Sequence, residues 1–66
     1  LMKIYLNGQI TPTDCKNLLE LIQYLALENK RYAIEFNSRI IPKSKLECTN
    51  ISEFDRIEII HAVGGG

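Results

Sequence analysis

The chain has 66 residues, 45% of them apolar, with eight Lys plus Arg against eight Asp plus Glu and a single His. That length holds one domain, which buries only about 60% of its unfolded surface and so has a thin stability margin. Balanced charge gives no case for a nucleic acid or an anionic membrane as partner, and no apolar run approaches the roughly 20 residues of a membrane span.

The two cysteines, Cys15 and Cys48, are too few for a disulfide framework. With no CxxC pair and one distant His, a metal site is not expected. No signal-peptide core precedes a small-residue cleavage site, so the expected compartment is cytoplasmic. Leu1 ahead of Met2 reads as an added residue, with Met2 as the natural start.

Met2 to Leu6 alternates apolar and polar, the period of a half-buried strand. Ile4 and Leu6 face the core; Lys3 and Tyr5 face out. Asn7-Gly8 is a two-residue hairpin signal, because both central positions of a type I′ turn need positive φ. Gln9 to Thr11 returns as a second strand that Pro12 should end. Asp14 reads as a helix N-cap. Leu18, Leu21, Ile22 and Leu25 recur at helical spacing, with Cys15 one turn earlier on the buried side, and place a helix over about residues 15–28. Asn17 falls at its third position, where Glu would close a capping box better.

Tyr32 to Asn37 is a third strand with Ile34 and Phe36 inward. Asn37-Ser38 turns the chain into a short strand over 39–41, closed by Pro42. Residues 43–53 form a connection with room for one helical turn, anchored by Leu46 and Ile51, and leave Cys48 exposed. Arg56 to Val63 is the last strand, Ile57 and Ile59 inward. The order ββαββ describes an α+β domain with one helix on one face of a four- to five-stranded mixed sheet. The strand after the helix is expected beside the first, and the two chain ends as parallel central strands.

Three of the four glycines occupy positions 64–66. Glycine there has no packing value, yet it gives a slender arm able to adopt any φ. Three extended residues reach roughly 10 Å. A folded body over 2–63 carrying a flexible tail over 64–66, tipped by a carboxylate, is the expected organisation. No nucleophile–base constellation points to an independent enzyme.

Several segments carry a family likeness. Ile40-Ile41-Pro42-Lys43, Asp55 to Ile60, and His61-Ala62-Val63-Gly64-Gly65-Gly66 are together similar to the thiamine-pathway sulfur carrier proteins, and the likeness runs from Met2 to the end. It implies a ubiquitin-like β-grasp fold. It further implies that a ubiquitin-activator-like adenylyltransferase uses ATP to adenylate the terminal glycine carboxylate, Gly66. Sulfur from a cysteine desulfurase or another donor then gives a thiocarboxylate, and thiazole synthase takes that sulfur. Gly65 completes the diglycine and Gly64 matches an extra glycine of many members. The carrier itself would bind no cofactor.

Two positions depart from the family. Phe54 stands before Asp55 where Gly is usual, so the turn there is expected to change shape, and Asn17 replaces a commoner Glu. Strand alternation puts Ile60 and Ala62 on the side of Tyr5, away from the helix. Tyr5, Ile60 and Ala62 are the expected contact with the activating enzyme, with Arg39, Lys43 and Lys45 adding charge complementarity. His61 reads as a strand residue near the surface. The alternatives are the small subunit of molybdopterin synthase, another β-grasp sulfur carrier, or a ubiquitin-like interaction module without terminal chemistry.

Overall fold

The computed structural model describes residues 1–61. Expectations that fall on Ala62 and on Gly64, Gly65 and Gly66 lie outside the described residues. Strands β1 (Met2–Leu6) and β2 (Gln9–Thr13) form an antiparallel hairpin. Asn7 and Gly8 turn it at φ 50 and 83, the two positive values a type I′ turn demands. Pro12 does not end β2. It lies within the strand, opposite Lys3. β2 is an edge of the sheet, where the N–H that proline lacks can be one that faces solvent.

The helix is shorter than its apolar period suggests. Helix α1 spans Leu18–Tyr24, and its N-cap is Asn17, not Asp14. Asn17 has extended backbone, and its Oδ1 accepts from the Glu20 N–H at 2.9 Å. Glu20 Oε1 in turn accepts from the Lys16 N–H at 2.7 Å, closing the first turn much as a capping box does. The helix cannot begin earlier because residues 16–18 are held by another segment. The Leu18 N–H donates to the Thr49 carbonyl and the Ile51 N–H to the Lys16 carbonyl. At the other end Ala26 adopts φ 59. The Ala26 N–H donates to the Gln23 carbonyl and the Leu27 N–H to the Ile22 carbonyl. That is a Schellman stop, with Ile22 and Leu27 as its buried apolar pair.

Strands β3 (Tyr32–Phe36) and β4 (Arg39–Ile40) form a second hairpin, turned by Asn37 and Ser38 at φ 50 and 73. A 3-10 turn over Lys43–Lys45 supplies the helical turn expected in the connection. Strand β5 (Arg56–His61) ends the described chain. The sheet order is β2-β1-β5-β3-β4. The chain ends are parallel central strands as expected. β3, however, does not lie beside β1, because β5 is inserted between them and pairs antiparallel with β3. The slot suits β5: Ile57 and Ile59 are buried beneath the helix, and both strand edges have partners.

The core is one layer between sheet and helix. Ile4, Ile34, Ile57 and Ile59 rise from the sheet to meet Leu18, Leu21 and Ile22, while Leu27, Leu46 and Ile51 close the ends. Each such side chain contributes about 1.5–3 kcal/mol on burial. Phe54 takes φ 65, so the turn before β5 keeps the left-handed conformation for which Gly is suited. The expected change of turn shape does not occur. An L-residue held there costs roughly 1–2 kcal/mol.

Both hairpin asparagines grip β5. β1 turns away after Leu6, and Asn7 then extends the ladder. Its N–H donates to the Ile57 carbonyl, and its Oδ1 accepts from the Ile59 N–H at 2.8 Å. Asn37 does the same from the other side, donating to the Arg56 carbonyl and accepting from the Arg56 N–H at 2.8 Å. Two substitutions separate turn conformation from these bonds in urea-unfolding experiments. Asn7→Gly keeps the positive φ but orphans the Ile59 N–H, and should lower stability by about 1 kcal/mol. Ala26→Gly removes only left-handed strain, and should raise stability by about 1 kcal/mol.

Candidate functional site

The residues that meet solvent on the outer side of the sheet follow from register. Tyr5 is opposite Ile10 on one side and Arg56 on the other. Ala33 is opposite Ile60, and Ile40 opposite Glu35, which is opposite Glu58. Facing pairs share a face, so these side chains form one surface, away from the helix. Ile10, Ile40, Ile60 and Phe54 are the exposed large apolar groups on or beside it, with Ile60 at 72% exposure. Tyr5 and Phe54 place their ring centroids 6.2 Å apart, and the Arg56 guanidinium carbon sits 5.8 Å from the Tyr5 centroid. Scattered exposed isoleucines are ordinary; several on one sheet face suit protein contact.

Tyr5 and Ile60 are therefore on the surface where the alternation put them, and Ala62 lies outside the described residues. The basic residues are elsewhere. Arg39 is opposite Phe36, which puts it on the helix side. Lys43 holds its Nζ 4.9 Å from the Tyr32 ring centroid, and Lys45 is exposed in the same 3-10 turn. Tyr32 is opposite His61 at the last described rung of β5, so Lys43 stands at the end of β5 that leads to the glycines. Ile10, Ile40 and Phe54 were missed in the sequence. Ile10 is the single aliphatic side chain of β2 and Ile40 sits in a two-residue strand, so neither shows an apolar period, and Phe54 is in a turn.

Of the two cysteines, Cys15 packs against the core and Cys48 is exposed. Among the described residues no group of three or more His, Cys, Asp or Glu side chains could hold a metal ion, and no helix is long and apolar enough to cross a membrane. An open depression beside β2 has Asp14 and Glu20 among its lining and no basic side chain, a poor match for a phosphate-bearing ligand. Among the described residues the candidate site is thus an exposed, partly apolar sheet face together with the end of β5 at His61.

A family model described as the ThiS family matches residues 3–66. A sulfur carrier protein ThiS of Bacillus subtilis is 38% identical over 53 residues, covering 80% of each chain. A thiazole synthase of Magnetococcus marinus is 32% identical over 66 residues, which take up 98% of this chain and only 20% of that enzyme. A crystal structure of the thiamine biosynthesis protein ThiS from Geobacter metallireducens superposes with a TM-score of 0.81 at 23% identity, covering 98% of this chain and all of the other. The architecture is thus a ubiquitin-like β-grasp, a mixed five-stranded sheet wrapped around one helix. The chain belongs to the ThiS family, the sulfur carriers of thiamine biosynthesis.

At the strand end, burial pushes the Tyr32 phenol above its ordinary value, and the Glu28 carboxylate adds to the effect. The folded value then exceeds the unfolded one, because the fold favours the neutral phenol. Its stabilising contribution is complete below the ordinary tyrosine value of about 10 and is lost as pH rises through the folded value. Tyr32→Phe should therefore show a smaller loss of stability between about pH 9 and about pH 11 than the unsubstituted chain, as measured by urea unfolding.

Proposed function

We propose that the chain carries sulfur on the carboxylate of Gly66. The observation that carries this reading is that the family match runs through all three glycines, to residue 66. A carboxylate is a poor acyl donor because it lacks a good leaving group. Attack of the Gly66 carboxylate on the α-phosphorus of ATP expels pyrophosphate and leaves an acyl-adenylate. A sulfur nucleophile delivered by a cysteine desulfurase or another donor then adds to the acyl carbon and AMP departs. Free sulfide gives the terminal thiocarboxylate directly; where the nucleophile is a persulfide, a second thiol attacks the donor sulfur of the acyl disulfide, forms a disulfide with it and frees the thiocarboxylate, which gives its sulfur to thiazole synthase.

In this scheme the ATP site and the acid–base groups belong to a ubiquitin-activator-like adenylyltransferase, and the chain is its substrate. What the chain supplies is reach and aim. Gly64, Gly65 and Gly66 carry no Cβ, so a channel wide enough only for backbone admits them. β5 is the middle strand of five and is hydrogen-bonded on both sides, which gives the segment ahead of the glycines a rigid base. Tyr5 and Ile60, joined by Ile10, Ile40 and Phe54, form the docking face for the activating enzyme. Lys43 borders the strand end. A β-grasp segment resembling this chain within the matched thiazole synthase supports thiazole synthase as the acceptor.

Intact mass spectrometry after incubation with ATP, a sulfide source and the activating enzyme tests the chemistry. The expected result is a gain equal to the difference between sulfur and oxygen, abolished by deleting Gly65 and Gly66. A truncated chain that still supports thiamine synthesis in cells would instead favour a ubiquitin-like interaction module. The docking face has its own test. Ile60→Asp should fold normally, since Ile60 is exposed, yet raise the KM for the carrier at least about tenfold, the loss expected for a central apolar contact.

A further inference from the structure

The outer face of the sheet carries an electrostatic mismatch. Glu35 and Glu58 are directly opposite on β3 and β5, where facing Cβ atoms are about 4.5–5.5 Å apart. Both are exposed. Like charges in that position oppose strand pairing. A cation between them would relieve the repulsion, and among the described residues none is placed there. Arg56, two residues before Glu58 on the same face, has its guanidinium over the Tyr5 ring. Lys3 lies one strand further away, opposite Pro12. Arg39 belongs to the helix side, and Lys43 is over Tyr32.

The acidic pair also has an apolar frame. Ile40 continues the Glu35–Glu58 row onto β4, and Ile60 is the next outward residue of β5, with Ala33 beside it. Ile40 and Ile60 are 67% and 72% exposed. Two carboxylates flanked by uncovered isoleucines match a protein surface that presents a guanidinium or ammonium among apolar side chains. An arginine fits best, because its planar fork can donate to both carboxylates at once. A small anionic ligand is repelled, and a free metal ion makes no use of the isoleucines.

We propose that the occupant of this face is a basic, apolar-rimmed patch on the adenylating partner, which inserts a cationic side chain between Glu35 and Glu58. The pair is then a specificity element. It lowers the stability of the free carrier slightly and favours a partner with positive charge at one place. A second copy of this chain is a poorer match, since its outer face presents the same acidic pair and the Arg56 guanidinium on that face is already over the Tyr5 ring.

This inference rests on the carrier reading, and one experiment separates the two. The rate of ATP-dependent adenylation by the cognate activating enzyme is measured against ionic strength for the full chain and for the double variant Glu35→Gln/Glu58→Gln. The expected result is a fall in kcat/KM of about tenfold at low salt, with a flattened salt dependence, in a variant at least as stable to urea as the parent. The Glu35→Lys/Glu58→Lys double variant should fall further. Glu47→Gln, an exposed glutamate away from this face, should behave as the parent does. A parent chain that is never adenylated overturns the carrier reading and this inference together. A parent that is adenylated, with Gln variants matching it in rate and salt dependence, overturns this inference alone. So does sedimentation showing that the parent self-associates through this face and that the Gln variant does not.

Discussion

Insertion of β5 between β1 and β3 is the constraint on which the rest of the molecule depends. Until β5 arrives there are two separate hairpins, each too small to hold its own shape in water. β5 supplies both missing edges and two core side chains, the fully buried Ile57 and the buried Ile59. The hairpins are staggered, so neither flanking strand runs the full length of β5. Asn7 and Asn37 make up the shortfall. Each is a turn residue with positive φ, and each uses its amide oxygen to accept a β5 N–H that would otherwise have no strand to pair with. One residue type thus satisfies two needs, because the short amide side chain tolerates the left-handed region and also imitates a peptide carbonyl.

This arrangement separates the two faces of the sheet. The inner face is committed to the helix and carries the stability. The outer face lies away from the helix and has only its own side chains to pack against one another. Ile10, Ile40, Ile60 and the Tyr5–Phe54 ring pair populate it, with Glu35 and Glu58 in the middle. Phe54 adds exposed aromatic area from a turn position that favours glycine, and keeps that position despite its backbone strain. The strand that joins the hairpins is also the last element of the described chain.

Much of this was legible beforehand. Period-two alternation found the strands; Asn7-Gly8 and Asn37-Ser38 found both hairpin turns; and Leu18, Leu21 and Ile22 marked the buried helix face. Errors clustered where a distant segment overrules local preference. Pro12 reads as a stop, but is harmless in an edge strand. Asp14 is a good cap by residue type, yet residues 49–51 hold the chain extended through Lys16 and Asn17, so the helix starts at Leu18 under Asn17. Leu25 and Leu27 continue the apolar pattern beyond the true helix end, because a Schellman turn returns Leu27 to the core. The outer face was half-seen: Tyr5 and Ile60 follow from alternation within their own strands, whereas Ile40 and the facing of Glu35 with Glu58 follow only from how strands pair.

The amino-acid sequence by itself determined the element types, the turn positions, the buried set and the family likeness, because each rests on residue chemistry or short-range spacing. The tertiary structure alone decided which strand lies in the middle of the sheet, where the helix begins and stops, and which outward residues become neighbours. Those are properties of contacts between segments tens of residues apart, and their hydrogen bonds and charges meet only after the chain has closed on itself.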